Sequence, residues 1–193
     1  MKAKAGVACD CEGFFNRYIN DCSICSEPVT PHMLAAPYFK GNFTALIIPT
    51  GFGNKLYSGL LPALRASSQR IEKFVKKGGR VLLFGAMTAD PGCYDWLPFS
   101  CEYVHEYFSA PVQECENNPF SGFLDDFDAE KTEFDGYFID TGESEVVCKT
   151  TDNKPVMIAK KYGSGYYIIT SVHELPSKSF IKNFCSGDAE ILF

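Results

Sequence analysis

At 193 residues the chain suits one domain, and 46% hydrophobic with 15% aromatic residues supply a packed core, which excludes a disordered chain. A net charge of −6 argues against a nucleic-acid partner, because phosphate contacts need a basic face. No apolar run reaches the roughly 18 residues of a membrane span, and the start, Met1-Lys2-Ala3-Lys4, runs straight into a strand-like stretch too short for a secretory signal. The expected location is the cytoplasm, with no membrane partner.

In chain order, residues 4–9 read as a first strand, 13–20 as a short helix and 23–30 as a second strand. Phe43-Thr44-Ala45-Leu46-Ile47-Ile48 is almost uninterrupted in its apolar character, the pattern of a strand buried on both faces. The loop Pro49-Thr50-Gly51-Phe52-Gly53-Asn54 follows. Residues 60–77 carry apolar side chains at near 3.6-residue spacing, with Lys76-Lys77 and then Gly78-Gly79 to end the helix. Residues 80–84 form the next buried strand, so strand, helix and strand imply a parallel sheet with right-handed crossovers.

Between Cys101 and Glu145 stand thirteen acidic residues and one basic, Lys131. That segment carries −12 and the remainder +6, which predicts an inserted, solvated region or a docking face for a basic partner. Beyond it, residues 146–150, 155–161 and 166–172 are separated by Thr151-Asp152-Asn153-Lys154 and Tyr162-Gly163-Ser164-Gly165, so antiparallel hairpins are expected. Residues 177–184 read as a closing helix with Phe180, Ile181 and Phe184 inward. The predicted class is α/β: a mostly parallel open sheet with helices on both faces, a flavodoxin-like three-layer sandwich, with antiparallel hairpins near the end. One domain is expected over 1–193, with the acidic insertion at about 101–145.

Ligands bind outside the carboxyl ends of strands in open parallel sheets. That rule selects Asp10-Cys11-Glu12, Thr50-Gly51-Phe52-Gly53, the stretch from Gly85 to Asp90, and Val172-His173-Glu174. Nine cysteines, an odd number, favour free thiols over a disulfide framework. Cys9, Cys11, Cys22 and Cys25 fall at opposite ends of a parallel crossover, so no shared metal site is expected. His32 and His105 lie in a Pro-bounded loop and a strand-like stretch, without metal-ligand spacing. No dinucleotide or phosphate-loop fingerprint is present, and no cofactor is implied.

The strand, glycine loop, helix and strand over residues 43–84, together with Tyr166-Tyr167-Ile168-Ile169-Thr170-Ser171-Val172-His173-Glu174, resemble a class I glutamine amidotransferase-like domain. The resemblance covers roughly 110 residues and excludes the acidic segment. It implies backbone oxyanion donors in the glycine loop, a nucleophilic cysteine on a strained turn after the next strand, and a catalytic histidine followed by a glutamate. Here that turn reads Phe84-Gly85-Ala86-Met87-Thr88-Ala89. Ala86 aligns best with the nucleophile and Met87 next, and neither can attack a carbonyl. The glutamate is also adjacent to His173 instead of one residue further on.

Ordinary glutaminase activity is therefore not expected. The leading expectation is a divergent domain that binds a small polar ligand or a protein partner. On it, Thr50, Gly51, Phe52 and the stretch Gly85-Ala86-Met87-Thr88 form the pocket, and His173 orients the ligand. A hydrolase or transferase of altered mechanism is the alternative, with His173 and Glu174 serving Cys93, Cys11 or Thr88 as nucleophile. A third reading is a structural partner domain docking through its acidic segment, and dimerisation is compatible with the fold.

Overall fold

The computed structural model describes residues 4–11, 13–114, 119–126, 131–173, 175–187 and 191–192. In chain order the elements are β1 (Lys4–Ala8), α1 (Phe14–Asp21), β2 (Cys25–Val29), α2 (Pro31–Ala35), β3 (Asn42–Phe43), β4 (Ala45–Ile48), α3 (Leu60–Lys76) and β5 (Arg80–Leu83). They continue with β6 (Glu102–Ala110), β7 (Val112–Glu114), β8 (Thr132–Asp140), β9 (Glu145–Thr150), β10 (Pro155–Tyr162), β11 (Gly165–Thr170), α4 (Lys178–Phe184) and β12 (Ile191–Leu192).

The main sheet runs β2-β1-β4-β5-β11-β10-β9-β7. Its first five strands are parallel, and β11-β10-β9-β7 pair antiparallel, so the α/β class and the late hairpins both hold. The strands alternate their side chains between two cores. Leu46, Ile48, Val81, Leu83, Tyr167 and Ile169 pack with α2 and α3 on one face. Ala45, Ile47, Leu82 and Ile168 pack with α1 and α4 on the other. Burial on both faces explains why these strands read as continuous apolar runs.

Local chemistry sets the helix ends. Thr30 caps α2 by accepting from the Met33 N–H, with Pro31 at the first helical position. Ser177 caps α4 by accepting from the Phe180 N–H. Lys73 and Lys76 occupy the last turn of α3, and Gly78 follows with φ +115°, a left-handed conformation open to glycine. The apolar run 43–48 is not one strand: Thr44 turns its hydroxyl to the carbonyls of Lys4 and Cys185, so residues 42–43 pair with β12 while β4 joins β1 and β5.

The described residues of 101–145 include both exposed and buried strands. β6 and β8 form an antiparallel ribbon, and β7 adds an edge strand to the main sheet. β6 is largely exposed, whereas β8 buries Phe134 in one core and Phe138 in the other. The reason is that β8 crosses the end of β11: the Asp135 N–H donates to the Ser171 carbonyl at 2.8 Å and the His173 N–H donates to the Glu133 carbonyl at 2.9 Å. Among the described residues no helix is long and apolar enough to cross a membrane.

Phe138→Ala should therefore lower the unfolding free energy by about 3–5 kcal/mol, the usual cost of emptying a buried phenylalanine site. Urea denaturation checks this, and a loss below about 0.5 kcal/mol, typical of surface positions, would show that β8 is not part of the cooperative core.

Candidate functional site at the strand ends

The four loops selected by the strand-end rule do not all face a ligand. Asp10 is spent on structure: its carboxylate accepts the Ser58 hydroxyl at 2.7 Å and the Gly59 N–H at 3.0 Å, which anchors the start of α3. Cys11 beside it is exposed.

The centre of the site is Asp135, a residue the sequence pattern does not single out. Its side chain is 1% exposed, yet every oxygen is occupied. His173 Nδ1 lies 3.1 Å from Oδ1, and the Thr50 hydroxyl donates to Oδ2 at 2.5 Å. Tyr103 and His105 both bond to the Asp135 main-chain carbonyl, His105 through Nδ1 at 2.9 Å. A carboxylate and a carbonyl only accept, so both imidazoles carry their proton on Nδ1. In the neutral form of each ring Nε2 is then the acceptor nitrogen, and both side chains reach solvent. Tyr107 meets the His173 ring edge-on at 6.0 Å. Glu174, the expected partner of His173, lies outside the described residues; the carboxylate that holds this histidine comes from β8. Gly85 permits the arrangement, since a Cβ there would stand 2.9 Å from the Asp135 Cβ.

The strained turn falls on Met87, with φ +50°, and Ala86 behind it is fully buried. A non-glycine residue in this region is sparsely populated and marks a backbone held by its surroundings. Several residues expected in the pocket have partners within the fold. The Gly51 N–H donates to the Gly85 carbonyl at 2.8 Å, and the Gly53 N–H to the Ala86 carbonyl at 3.1 Å. Thr50 is committed to Asp135, and Phe52 is buried against the Tyr94 and Trp96 rings. The glycine loop therefore braces the turn through the N–H groups of Gly51 and Gly53. Thr88 accepts the Asp90 N–H at 3.2 Å, a local turn bond. Met87, Thr88 and Asp90 line an open cavity of about 480 Å³ together with Asn54, Lys55 and His105.

Among the candidate nucleophiles Cys11 is exposed and Cys93 is buried. Cys93 is 1% exposed, and burial, with Asp90 second, pushes its thiol up to about 12. Burial likewise raises Cys101 and Cys185 to about 12. Protonated thiols attack poorly. Among the described residues no group of three or more His, Cys, Asp or Glu side chains is placed to hold a metal ion.

No protein-family model and no curated protein matches the chain. Solved structures do. Cytoplasmic protein STM1381 from Salmonella typhimurium LT2 aligns over 94% of this chain and 93% of its own, at 13% identity and a TM-score of 0.57. A protein from Thermoplasma acidophilum, assigned by name to GMP synthase, aligns over 96% and 93% at 12% identity, with a TM-score of 0.62. The β-galactosidase of Rahnella sp. R3 aligns over 95% of this chain but 30% of the enzyme, at 13% identity and a TM-score of 0.54. At these identities the likeness is one of fold.

Two outcomes follow from the geometry. Asp135→Ala should release His173 from its Nδ1–H form, seen as a changed pair of imidazole ¹⁵N shifts, while Thr50→Val leaves them in place; unchanged shifts in Asp135→Ala would mean another group sets the tautomer. Folded Cys93, Cys101 and Cys185 keep protons that unfolded thiols release from an ordinary value near 9 upward. Unfolding free energy should thus be at its full value below about pH 9 and fall as the pH rises toward 12. Chemical denaturation across that window checks the sign.

Proposed function

We propose that the chain is a divergent amidotransferase-like domain that binds a small polar ligand at its strand ends and does not hydrolyse glutamine. One observation carries this reading: the left-handed turn residue is Met87, which has no nucleophilic atom for acyl transfer, while the histidine beside the cleft is still rigidly held by a buried carboxylate. The likeness to the GMP synthase protein supports the family reading at the level of fold.

The groups around the cleft favour a ligand with an anionic end and a donor. Lys55 supplies positive charge, and no hydrogen bond engages the backbone N–H groups of Met87 and Thr88 among the described residues. The Nε2 atoms of His105 and His173 are acceptors and would take a donor from the ligand. An altered hydrolase is the second reading, favoured by the Asp135–His173 pair itself, which is the orienting half of a general-base system.

Titration of ¹⁵N-labelled protein with acetate, inorganic phosphate and glutamine tests the proposal. The expected result is saturable shifts at Met87, Thr88, His105 and His173, weakened on the order of tenfold by His173→Ala, with no ammonia release from glutamine. Ammonia release that requires His173 would overturn the binding-only reading, and an absence of shifts at these residues would overturn the site.

A further inference from the structure

A second cavity, of about 340 Å³, opens at the opposite end of the sheet from His173. It lies where β5 and β11 begin, at the paired residues Arg80 and Tyr166. Five steps along β5 and its exit lead from Arg80 to Gly85, roughly 16 Å at the rise of a strand, and the two cavities share no lining residue. α4 and the loop 119–126 form its other walls. That loop is pinned: Ser177 donates its hydroxyl to the Gly122 carbonyl at 2.6 Å and its N–H to the Phe123 carbonyl at 2.7 Å, and Asp126 accepts the Lys178 N–H at 2.9 Å. Phe123 also packs edge-on against Phe180 at 4.9 Å. The cavity is preformed, as binding sites for small molecules commonly are, and its volume sits at the small end of their range.

Its walls combine flat rings with two opposite charges. Phe120 and Tyr166 meet edge to face at 5.0 Å, and Phe180 stacks on Phe184 at 5.6 Å. Arg80 uses only Nη1, which donates to the Asn183 and Phe184 carbonyls at 2.9 and 2.8 Å. Its Nε and Nη2 make no hydrogen bond among the described residues, and neither does the carboxylate of Asp125. No ion pair joins Arg80 to Asp125 among the described residues, although both line the same cavity. A guanidinium with its planar fork half used, a carboxylate kept apart from it, and aromatic walls between them complement one kind of molecule.

We infer that this cavity is a second binding site, for a small flat aromatic or heteroaromatic acid that also carries an amino or N–H donor. Its carboxylate or phosphate pairs with the free edge of Arg80, its ring packs among Phe120, Tyr166 and Phe180, and its donor meets Asp125. Arg80 already secures α4 through two carbonyls, so the guanidinium is oriented before the ligand arrives and little ordering entropy is lost on binding.

The test is ¹H–¹⁵N and aromatic ¹H–¹³C NMR on the full chain with three probes: 4-aminobenzoate, benzoate and cyclohexanecarboxylate. Shifts are expected at Arg80, Tyr166, Phe180 and Asn183, with 4-aminobenzoate binding most tightly and cyclohexanecarboxylate least. Asp125→Asn should remove the advantage of the amino group, on the order of tenfold, while leaving benzoate unchanged. Asn183→Trp, placed at the cavity wall on the exposed side of α4, should abolish all three while the melting temperature holds. Equal affinity for the aromatic and saturated acids, shifts confined to His105 and His173, or full binding by Asn183→Trp would each overturn the inference.

Discussion

A carboxylate that is almost wholly removed from water must be given partners, or the fold bears its desolvation. Asp135 receives them from three separate parts of the chain: the loop after β4, the end of β11 and, through its carbonyl, the ribbon strand β6. Each partner is fixed in turn. Thr50 sits in a loop whose N–H groups hold the Met87 turn, and His173 follows a strand buried on both faces. Losing the carboxylate would therefore release the Thr50 hydroxyl and the His173 ring together, while the ribbon keeps its bonds to the main chain of Asp135. The acidic segment belongs to the site because it supplies this one buried residue.

Much of the scaffold could be read from sequence. Leu46, Ile48, Leu82 and Ile169 lie in strands with apolar neighbours on both sides because both faces are covered, and that pattern is local. The helix over α3 was equally legible, since its spacing, its lysines and its glycine stop all lie within one stretch. Asp135 was not. Its contacts reach 85 residues back to Thr50 and 38 forward to His173, and it stands among thirteen acidic residues that look alike in composition. The one local hint was its position between Phe134 and Gly136 in an apolar run. Inward-facing residues on that ribbon should be Phe134, Gly136 and Phe138, and Asp135 is buried at the opposite phase because residues 171–173 cover its other side.

The glycine loop illustrates a different limit. The sequence places Thr50, Gly51 and Phe52 in the pocket, at a strand end where glycine loops so often donate to anions. Sequence cannot tell whether such donors point at solvent or at the neighbouring turn. Here they point at Gly85 and Ala86, which stabilises a left-handed Met87 that would otherwise cost on the order of 1–3 kcal/mol. The same atoms that would stabilise charge in an acyl-transfer site are used to hold a conformation.

That use bears on how the two functional readings separate. A general base needs a lone pair and a fixed ring, and Asp135 fixes the ring of His173 with Nε2 as the lone-pair nitrogen of its neutral form. Covalent catalysis further needs a nucleophile at the turn and uncommitted oxyanion donors. Met87 fails the first requirement, and the N–H groups of Gly51 and Gly53 are taken up by backbone bonds. Binding makes no such demand: on the proposed reading a ligand needs an oriented acceptor, a cation and a cleft, and the cavity walls include His105, Lys55 and the Met87–Thr88 turn without any group having to change its covalent state.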